Sequence, residues 1–233
     1  DAYPDDGWIE SSFRFFKKKK NFVLAGPHVD PLKQNESQKL IGLIKKSFLI
    51  TMKPKLQKSN SEKVQYVSFM PSVNWILSKK FYNSINQMNG KILRNEDWDF
   101  VYKMKKKKFK LLYSPKTLVY HKNGTISHFL SKRFKYGFYM WPILLKPNFK
   151  NYLLFAPLIF TTFLFSLPID FFIEGYRYLY FLILSLYILV AFLETLRIFD
   201  RMKNFFKIFA LIISGNIIPG LGVFFGIFNI FKK

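Results

Sequence analysis

The stretch YLYFLILSLYILVAFL, residues 178–193, has sixteen consecutive residues without a charge. A helix needs about 20 mostly apolar residues to cross a hydrocarbon core of about 30 Å. Continued past Glu194 to Leu196, the stretch reaches that length. It therefore predicts a membrane-spanning helix over about 177–196.

A second apolar stretch precedes this one. Residues 152–169 carry no charge, and three more apolar residues follow Asp170. The pattern predicts a helix over about 152–173. Because only the turn 174–177 separates the two stretches, we expect them to form an antiparallel helical hairpin.

A third uncharged stretch covers residues 208–231, but three glycines and a proline interrupt it between Ser214 and Gly222. Such residues weaken a helix unless neighbouring protein compensates, so we expect a helix over about 205–231 that is kinked or re-entrant. The alternative for all three stretches is the core of a soluble domain, which their lack of amphipathic faces disfavours.

Flanking basic residues predict the orientation. Basic residues near helix ends stay on the cytoplasmic side of a membrane, and the turn 174–177 has a single arginine. We therefore expect a cytoplasmic part over 1–150 and a multi-pass region over 151–233 in the inner (plasma) membrane. The basic residues that flank the spans are Lys132, Arg133, Lys135, Lys146, Lys150, Arg197, Arg201 and Lys203.

The net charge is +23, from 37 basic and 14 acidic side chains. A basic chain can bind nucleic acid or an anionic membrane surface. Only six of the basic residues are arginines, and nucleic-acid sites favour the planar guanidinium group. We therefore expect membrane lipids as partners and no nucleic acid. The absence of cysteine excludes disulfides and thiolate metal sites.

Short apolar runs alternate with helical patterns in residues 1–150, which is typical of an α/β layered sheet. Asp5 or Asp6, Ser78 and Asn95 are candidate helix N-caps. The predicted helices cover about 5–16, 79–88 and 96–107, and the predicted strands cover 22–25, 64–69, 109–113 and 117–120.

Familiar catalytic motifs are missing from the sequence. It has no G-x-S-x-G, no G-x-G-x-x-G, no P-loop and only three histidines, which argues against a dinucleotide fold, an ATPase and a zinc site. The few acidic residues cluster at Asp1–Glu10 and at Glu96–Asp99. A carboxylate at a strand end, such as Asp1, suits Mg²⁺ or Mn²⁺. Glu96 and Asp97 suit a helix N-terminus, where ordinary capping is the simpler interpretation.

Several short motifs occur in a set order and are followed by membrane helices. In this order and spacing the chain resembles the family 2 glycosyltransferases, over about residues 1–137. The motifs are Asp1-Ala-Tyr-Pro with Trp8-Ile9, Gly26-Pro27, Met70-Pro-Ser-Val-Asn74, Asn95-Glu-Asp97, Leu112-Tyr-Ser-Pro115 with Val119-Tyr-His121, and Phe129-Leu-x-x-Arg-Phe-x-Tyr-Gly137.

The resemblance implies the C-terminal, acceptor-side half of a GT-A domain, with the nucleotide-binding half upstream of Asp1. It implies an inverting transferase that uses a nucleotide-sugar donor, a divalent metal (Mg²⁺ or Mn²⁺) and a lipid-linked or glycan acceptor, in cell-envelope glycan synthesis. In this interpretation Asp97 is the general base with Glu96 beside it, Asp1 and His121 bind the metal, and Asn74, Trp98 and Arg133 bind substrate.

The chain departs from the processive polysaccharide synthases of this family. Those enzymes carry Gln-x-x-Arg-Trp, whereas here Leu130 and Phe134 flank Arg133, so processive synthesis is not predicted. We also expect the chain that begins at Asp1 to be inactive by itself. The alternatives are a basic, membrane-anchored protein that binds anionic lipid or nucleic acid without catalysis, and a purely structural membrane protein.

Overall fold

The computed structural model describes residues 2–18, 22–51, 63–90, 92–147 and 152–230. The chain is mixed α/β, with two long apolar helices near its C-terminus. It divides into two compact units, Asp1–Gln38 with Lys53–Asn123 and Lys39–Met52 with Gly124–Lys233. This division differs from the predicted boundary at residue 150, because residues 124–147 belong to the same unit as the apolar helices.

Sixteen helices and strands are assigned within the described ranges. Short 3₁₀ turns lie at Ser72–Asn74, Tyr152–Phe155, Leu167–Phe171 and Met202–Asn204. In chain order the elements are β1 (Ala2–Pro4), α1 (Trp8–Lys18), β2 (Phe22–Ala25), β3 (His28–Val29), α2 (Glu36–Ile44), β4 (Gln65–Val67), β5 (Trp75–Ile76), α3 (Lys79–Ser84), α4 (Glu96–Lys106), β6 (Lys110–Tyr113), β7 (Val119–His121), α5 (Ile126–Phe138), α6 (Trp141–Leu144), α7 (Ala156–Leu164), α8 (Tyr176–Ile198) and α9 (Phe205–Ile230).

The first unit contains two small mixed sheets. One has the strand order β4-β6-β2-β5, in which only β2 and β6 are parallel. The other has the order β1-β7-β3, with β1 antiparallel and β3 parallel to β7. The predicted strand at 22–25 is found in the four-stranded sheet as β2. The GT-A assignment stays a prediction.

Both faces of the β2–β6 pair are buried, which explains why β2 is a continuous apolar run. Val23 and Ala25 point to one side, where Phe100 of α4 is fully buried with them. Leu24 points to the other side with Leu112, and aromatic side chains of α1 pack against them. Successive residues of each strand therefore serve two separate cores.

The glycine- and proline-containing segment of the second unit forms part of the continuous helix α9, which includes Pro219. The predicted kink or re-entrant course stays a prediction. The glycines of α9 meet neighbouring backbone: a Cβ on Gly220 would lie 2.2 Å from the carbonyl oxygen of Pro157, and one on Gly222 would lie 2.2 Å from that of Phe134. Small residues allow such close helix packing, so tertiary contacts account for the glycines.

The predicted helix over 152–173 is corrected, because it is interrupted. Only α7 is α-helical, and 3₁₀ turns flank it on both sides. Pro168 follows the end of α7, and a proline removes a backbone donor and disfavours helical geometry in the residue before it. The amide of Phe165 donates to the carbonyl of Thr161, which closes the last turn.

Two helices within the described residues are long and apolar enough to cross a membrane, α8 and the segment 202–228 that includes most of α9. α8 is exposed on most of its surface, with Leu182 57% exposed and Leu189 51% exposed. Apolar side chains exposed over this length suit lipid better than water. The second segment is packed more closely, since 44% of its most apolar part is buried compared with 22% for α8.

We expect Gly137→Ala to destabilise the protein by about 2 kcal/mol, as overpacking typically does. Its Cβ would lie 1.9 Å from the carbonyl oxygen of Pro219, so α5 would have to move away from α9. The higher helix propensity of alanine, worth about 1 kcal/mol, is too small to compensate. Thermal unfolding in detergent measures the effect. Gly90→Ala is the control, because nothing lies within 4 Å of that Cβ position; equal midpoints for the two variants would contradict the packing argument.

Candidate active site

Asn74 joins the segments that follow the ends of β2 and β6. Its side-chain amide donates to the carbonyl oxygens of Pro27 at 2.9 Å and Thr117 at 2.6 Å. Its own Oδ1 accepts a hydrogen bond from the Trp8 indole at 3.0 Å. Gly26 is required here, since a Cβ would lie 1.8 Å from the Thr117 carbonyl oxygen. The buried amide therefore positions this end of the sheet, and its predicted contact with substrate stays a prediction.

The predicted general base lies on the first turn of α4. Glu96 and Asp97 are both half-buried there. Asn95 occupies the N-cap position with φ of 65° and makes no side-chain cap. Instead, the amide of Trp98 donates to Oδ1 of Asp97 at 2.8 Å. Asp97 thus has a capping function as well as its predicted catalytic one, and the positive end of the helix favours its negative charge.

The next two residues of α4 are buried. Trp98 stacks on Phe69 with ring centroids 3.6 Å apart and planes within 5°. Asp99 is 1% exposed, and its Oδ2 lies 3.1 Å from Nζ of Lys103. The stacking holds the start of α4 against the segment that follows β4, whereas the ion pair lies within α4 itself. The predicted role of Trp98 in substrate binding stays a prediction, with one face of its ring covered by Phe69.

His121 lies on β7, where the register pairs it with Ala2 of β1. His28 of β3 approaches from the other side of β7, with the two imidazole centroids 6.1 Å apart in an edge-to-face arrangement. Asp1, the other predicted metal ligand, lies outside the described residues. Ala2, which follows Asp1 in the chain, is the residue paired with His121.

The described residues alone do not make a metal centre. Within them no group of three or more His, Cys, Asp or Glu side chains is placed to hold a metal ion. Mg²⁺ prefers oxygen ligands, and two imidazoles supply none. The predicted Mg²⁺ or Mn²⁺ site therefore depends on Asp1.

Arg133 lies on α5 in the second unit. Its Nε donates at 2.9 Å to the carbonyl oxygen of Gly215, and its Nη1 donates at 3.4 Å to that of Ile50. Gly215 is four residues before Pro219, which has no N–H to donate to that carbonyl. Burial lowers the pKa of Arg133 to about 10, so it stays protonated at neutral pH. Its guanidinium completes the hydrogen bonding of α9, and its predicted contact with phosphate stays a prediction.

Two polar groups that the sequence analysis did not single out lie at the ends of β5 and β6. The Tyr113 hydroxyl and the Trp75 indole N–H are buried without a hydrogen-bond partner in the described part of the chain. Both residues pair with Ala25, one on each side of it, so their side chains emerge on the same face of the sheet. Burial raises the pKa of Tyr113 to about 12. The Leu-Tyr-Ser-Pro motif contains this tyrosine, but nothing local marks its hydroxyl as unpaired.

Comparison with known proteins adds no relative. No protein-family model, curated protein or solved structure matches the chain. The function is therefore argued from the residues and contacts above.

We expect Tyr113→Phe to leave stability unchanged or to raise it by about 1 kcal/mol at neutral pH, because it removes a buried hydroxyl without a partner. The raised pKa also gives a pH dependence. Between about pH 10 and 12 the unfolded chain loses the tyrosine proton while the folded chain keeps it, so stability falls as the pH rises. The variant should lose that part of the fall, on the order of 2 kcal/mol. Denaturant unfolding of both proteins across this range measures the difference; parallel curves would contradict the assignment.

A double-mutant cycle tests the pairing of Arg133 with the Gly215 carbonyl. Arg133→Met removes the donor, and we expect a cost of about 1–3 kcal/mol for the unpaired carbonyl. Pro219→Ala restores an N–H that can donate to the same carbonyl. The cost of Arg133→Met should therefore fall by at least 1 kcal/mol in the Pro219→Ala background. Additive changes in the free energy of unfolding would show that the two residues act independently.

Proposed function

We propose that the chain is the acceptor-side part of a membrane-associated, inverting glycosyltransferase of the GT-A type. It transfers a sugar from a nucleotide-sugar donor to a lipid-linked or glycan acceptor at the cytoplasmic membrane face, in cell-envelope glycan synthesis. The observation that carries the proposal is the pairing of β1 with β7, which places Ala2 opposite His121. The ordered motifs predict that these two ends of the first unit meet.

In this proposal Asp97 is the general base. One carboxylate oxygen is held by the Trp98 amide, which fixes the side chain while it remains half-buried. In the proposed reaction an acceptor hydroxyl oxygen bonds to the anomeric carbon as the bond to the diphosphate oxygen breaks on the opposite face. The hydroxyl proton passes to Asp97. Glu96, half-buried beside it on the same turn, orients the acceptor.

The scaffold around this base is rigid. Trp98 anchors the first turn of α4 by stacking on Phe69, and Asn74 fixes the segments that follow β2 and β6. Such support is what a catalytic carboxylate requires, because small displacements reduce the rate strongly. When bound by Asp1 and His121, Mg²⁺ or Mn²⁺ would supply neutralisation of the diphosphate charge.

Binding of anionic lipid without catalysis is the second candidate. The observation that favours it is the lysine-rich end of α4, where Nζ of Lys106 lies 4.8 Å from the ring centroid of Tyr102. Nearby, Nζ of Lys110 lies 5.1 Å from the ring centroid of Tyr66. Lysines supported by aromatic rings suit an anionic surface. The two candidates require different residues and can be separated by substitution.

We expect Asp97→Asn, placed in the gene of the producing cell, to lower sugar transfer by about 10²–10⁴. Asparagine keeps the Oδ1 acceptor for the Trp98 amide, so the helix start and membrane insertion should be unchanged. The measurement is the incorporation of labelled sugar from a panel of uridine and guanosine diphosphate sugars into membrane fractions.

Two control variants complete the experiment. Glu10→Gln changes an exposed carboxylate that pairs only with Arg14 among the described contacts, and it should retain full transfer. Lys105→Gln with Lys106→Gln should also retain transfer. Wild-type transfer by Asp97→Asn would reduce Asp97 to a helix cap, and loss of anionic-lipid binding in the lysine variant alone would favour the lipid-binding candidate.

A further inference from the structure

We propose that α9 and α5 form a plate that lies flat in the membrane interface, with α9 facing the acyl chains and α5 facing water. In this arrangement only the hairpin of α7 and α8 crosses the bilayer, although α9 is long and apolar enough to cross. The inference concerns the lipid contact of the second unit and does not depend on sugar transfer.

The first observation is that α5 runs along α9 in backbone contact. A Cβ on Gly222 would lie 2.2 Å from the carbonyl oxygen of Phe134, and a Cβ on Gly226 would lie 2.3 Å from that of Phe138. The numbering rises together on both helices, so they run in the same direction. The two helices therefore pack directly against each other.

The second observation is the polar outer face of α5. Ser127, His128, Ser131 and Lys135 are exposed there. If the segment 202–228 crossed the bilayer, its midpoint near Gly215 would lie at the bilayer centre, and α5 would lie beside the half that follows. Each basic side chain there would cost about 3 kcal/mol. The polar face of α5 needs water along its whole length.

The third observation is an apolar stripe on α9, exposed at its two ends and half-buried at Ile217 and Leu221, which we call the α9 stripe. Its members recur at helical spacing, and the end residues Phe206 and Phe228 are 79% and 59% exposed. Over these residues the stripe is about 33 Å long at 1.5 Å per residue. The stripe consists of Phe206, Ala210, Ile217, Leu221, Phe224 and Phe228.

Charge complementarity identifies the occupant of the α9 stripe as the anionic leaflet of a bilayer. Lys203 and Lys207 are exposed beside its N-terminal end, where they can reach headgroup phosphates while the phenylalanines enter the acyl region. An apolar face with flanking lysines and a polar opposite side is typical of helices that lie in the interface. A soluble protein partner would leave the exposed apolar surface of α8, in the same unit, unexplained.

The α7–α8 hairpin has the contacts of a crossing pair. The Tyr180 hydroxyl donates to the Leu164 carbonyl at 3.0 Å, and the rings of Phe160 and Tyr187 are 4.3 Å apart. α8 alone is about 35 Å long. The other arm, residues 152–166, is shorter at roughly 25 Å, because the 3₁₀ turn after it lies beside the start of α8, where Asp170 accepts a hydrogen bond from the amide of Arg177 at 2.9 Å.

The described contacts between α8 and α9 involve the later half of α8 and the first half of α9. The described contacts join Tyr187 to Asn216 at 3.3 Å and Phe192 to Phe205 at 5.4 Å between centroids. Beyond Tyr187, the earlier half of α8 packs with α7 instead. The two long helices therefore separate before Tyr187, as expected for a crossing helix and a surface helix.

Single cysteines test the topology, since the chain has none of its own. We would place them by Asn204→Cys, Asn229→Cys and Glu174→Cys in the full chain in its native membrane, and label with an impermeant thiol reagent. We expect Glu174→Cys to react in intact cells, and the other two only after permeabilisation. Reaction of Asn229→Cys in intact cells would overturn the proposal.

A second measurement reads depth directly and decides the matter if a cysteine is unreactive. Phe206→Trp, Ile217→Trp and Phe228→Trp are compared in bilayers whose lipids are brominated at known acyl positions, after subtraction of the parent fluorescence. A flat α9 predicts the same shallow depth for all three. A crossing α9 places the outer two about 16 Å on either side of Ile217, and a deepest quench at Ile217→Trp would overturn the proposal.

Discussion

The close approach of α9 to its neighbours is the constraint on which the second unit depends. Glycine at 220 and 222 lets carbonyl oxygens of α7 and α5 reach the helix surface, where any Cβ would collide. Pro219 sits in the same turn and leaves the Gly215 carbonyl without a helical donor. Arg133 supplies that donor from α5, so one basic side chain secures both the helix and its packing.

In the first unit, too, a single polar side chain satisfies several hydrogen-bonding groups. One side-chain amide, that of Asn74, satisfies two backbone carbonyls and accepts an indole N–H. It thereby joins segments that the two sheets alone would not connect. The candidate base Asp97 benefits from this rigidity, because α4 packs on the same β2–β6 pair that Asn74 closes at its end.

Local patterns predicted the elements whose own residues determine them. β2 is apolar at every position because both of its faces are buried. α8 could be recognised because its uncharged run is long enough to cross a membrane. Local patterns are less informative where distant contacts decide: the reason for Pro219 and its neighbouring glycines appears only when α5 and α7 are in place. In the candidate site, Asp97 could be found from its motif. The approach of β1 to His121 was expected only through the resemblance, and the unpaired Tyr113 hydroxyl is non-local and left no sequence signal.

The β2–β6 pair also sets a problem for synthesis of the chain. Phe22 pairs with Lys110, so about 90 residues separate the partners. At about 5–20 residues per second, translation leaves β2 without β6 for roughly 4–18 s. During that time a fully apolar strand has neither its neighbour nor the helix that covers its second face. The nascent chain must be shielded over this interval, by a chaperone or by the membrane at which it is made.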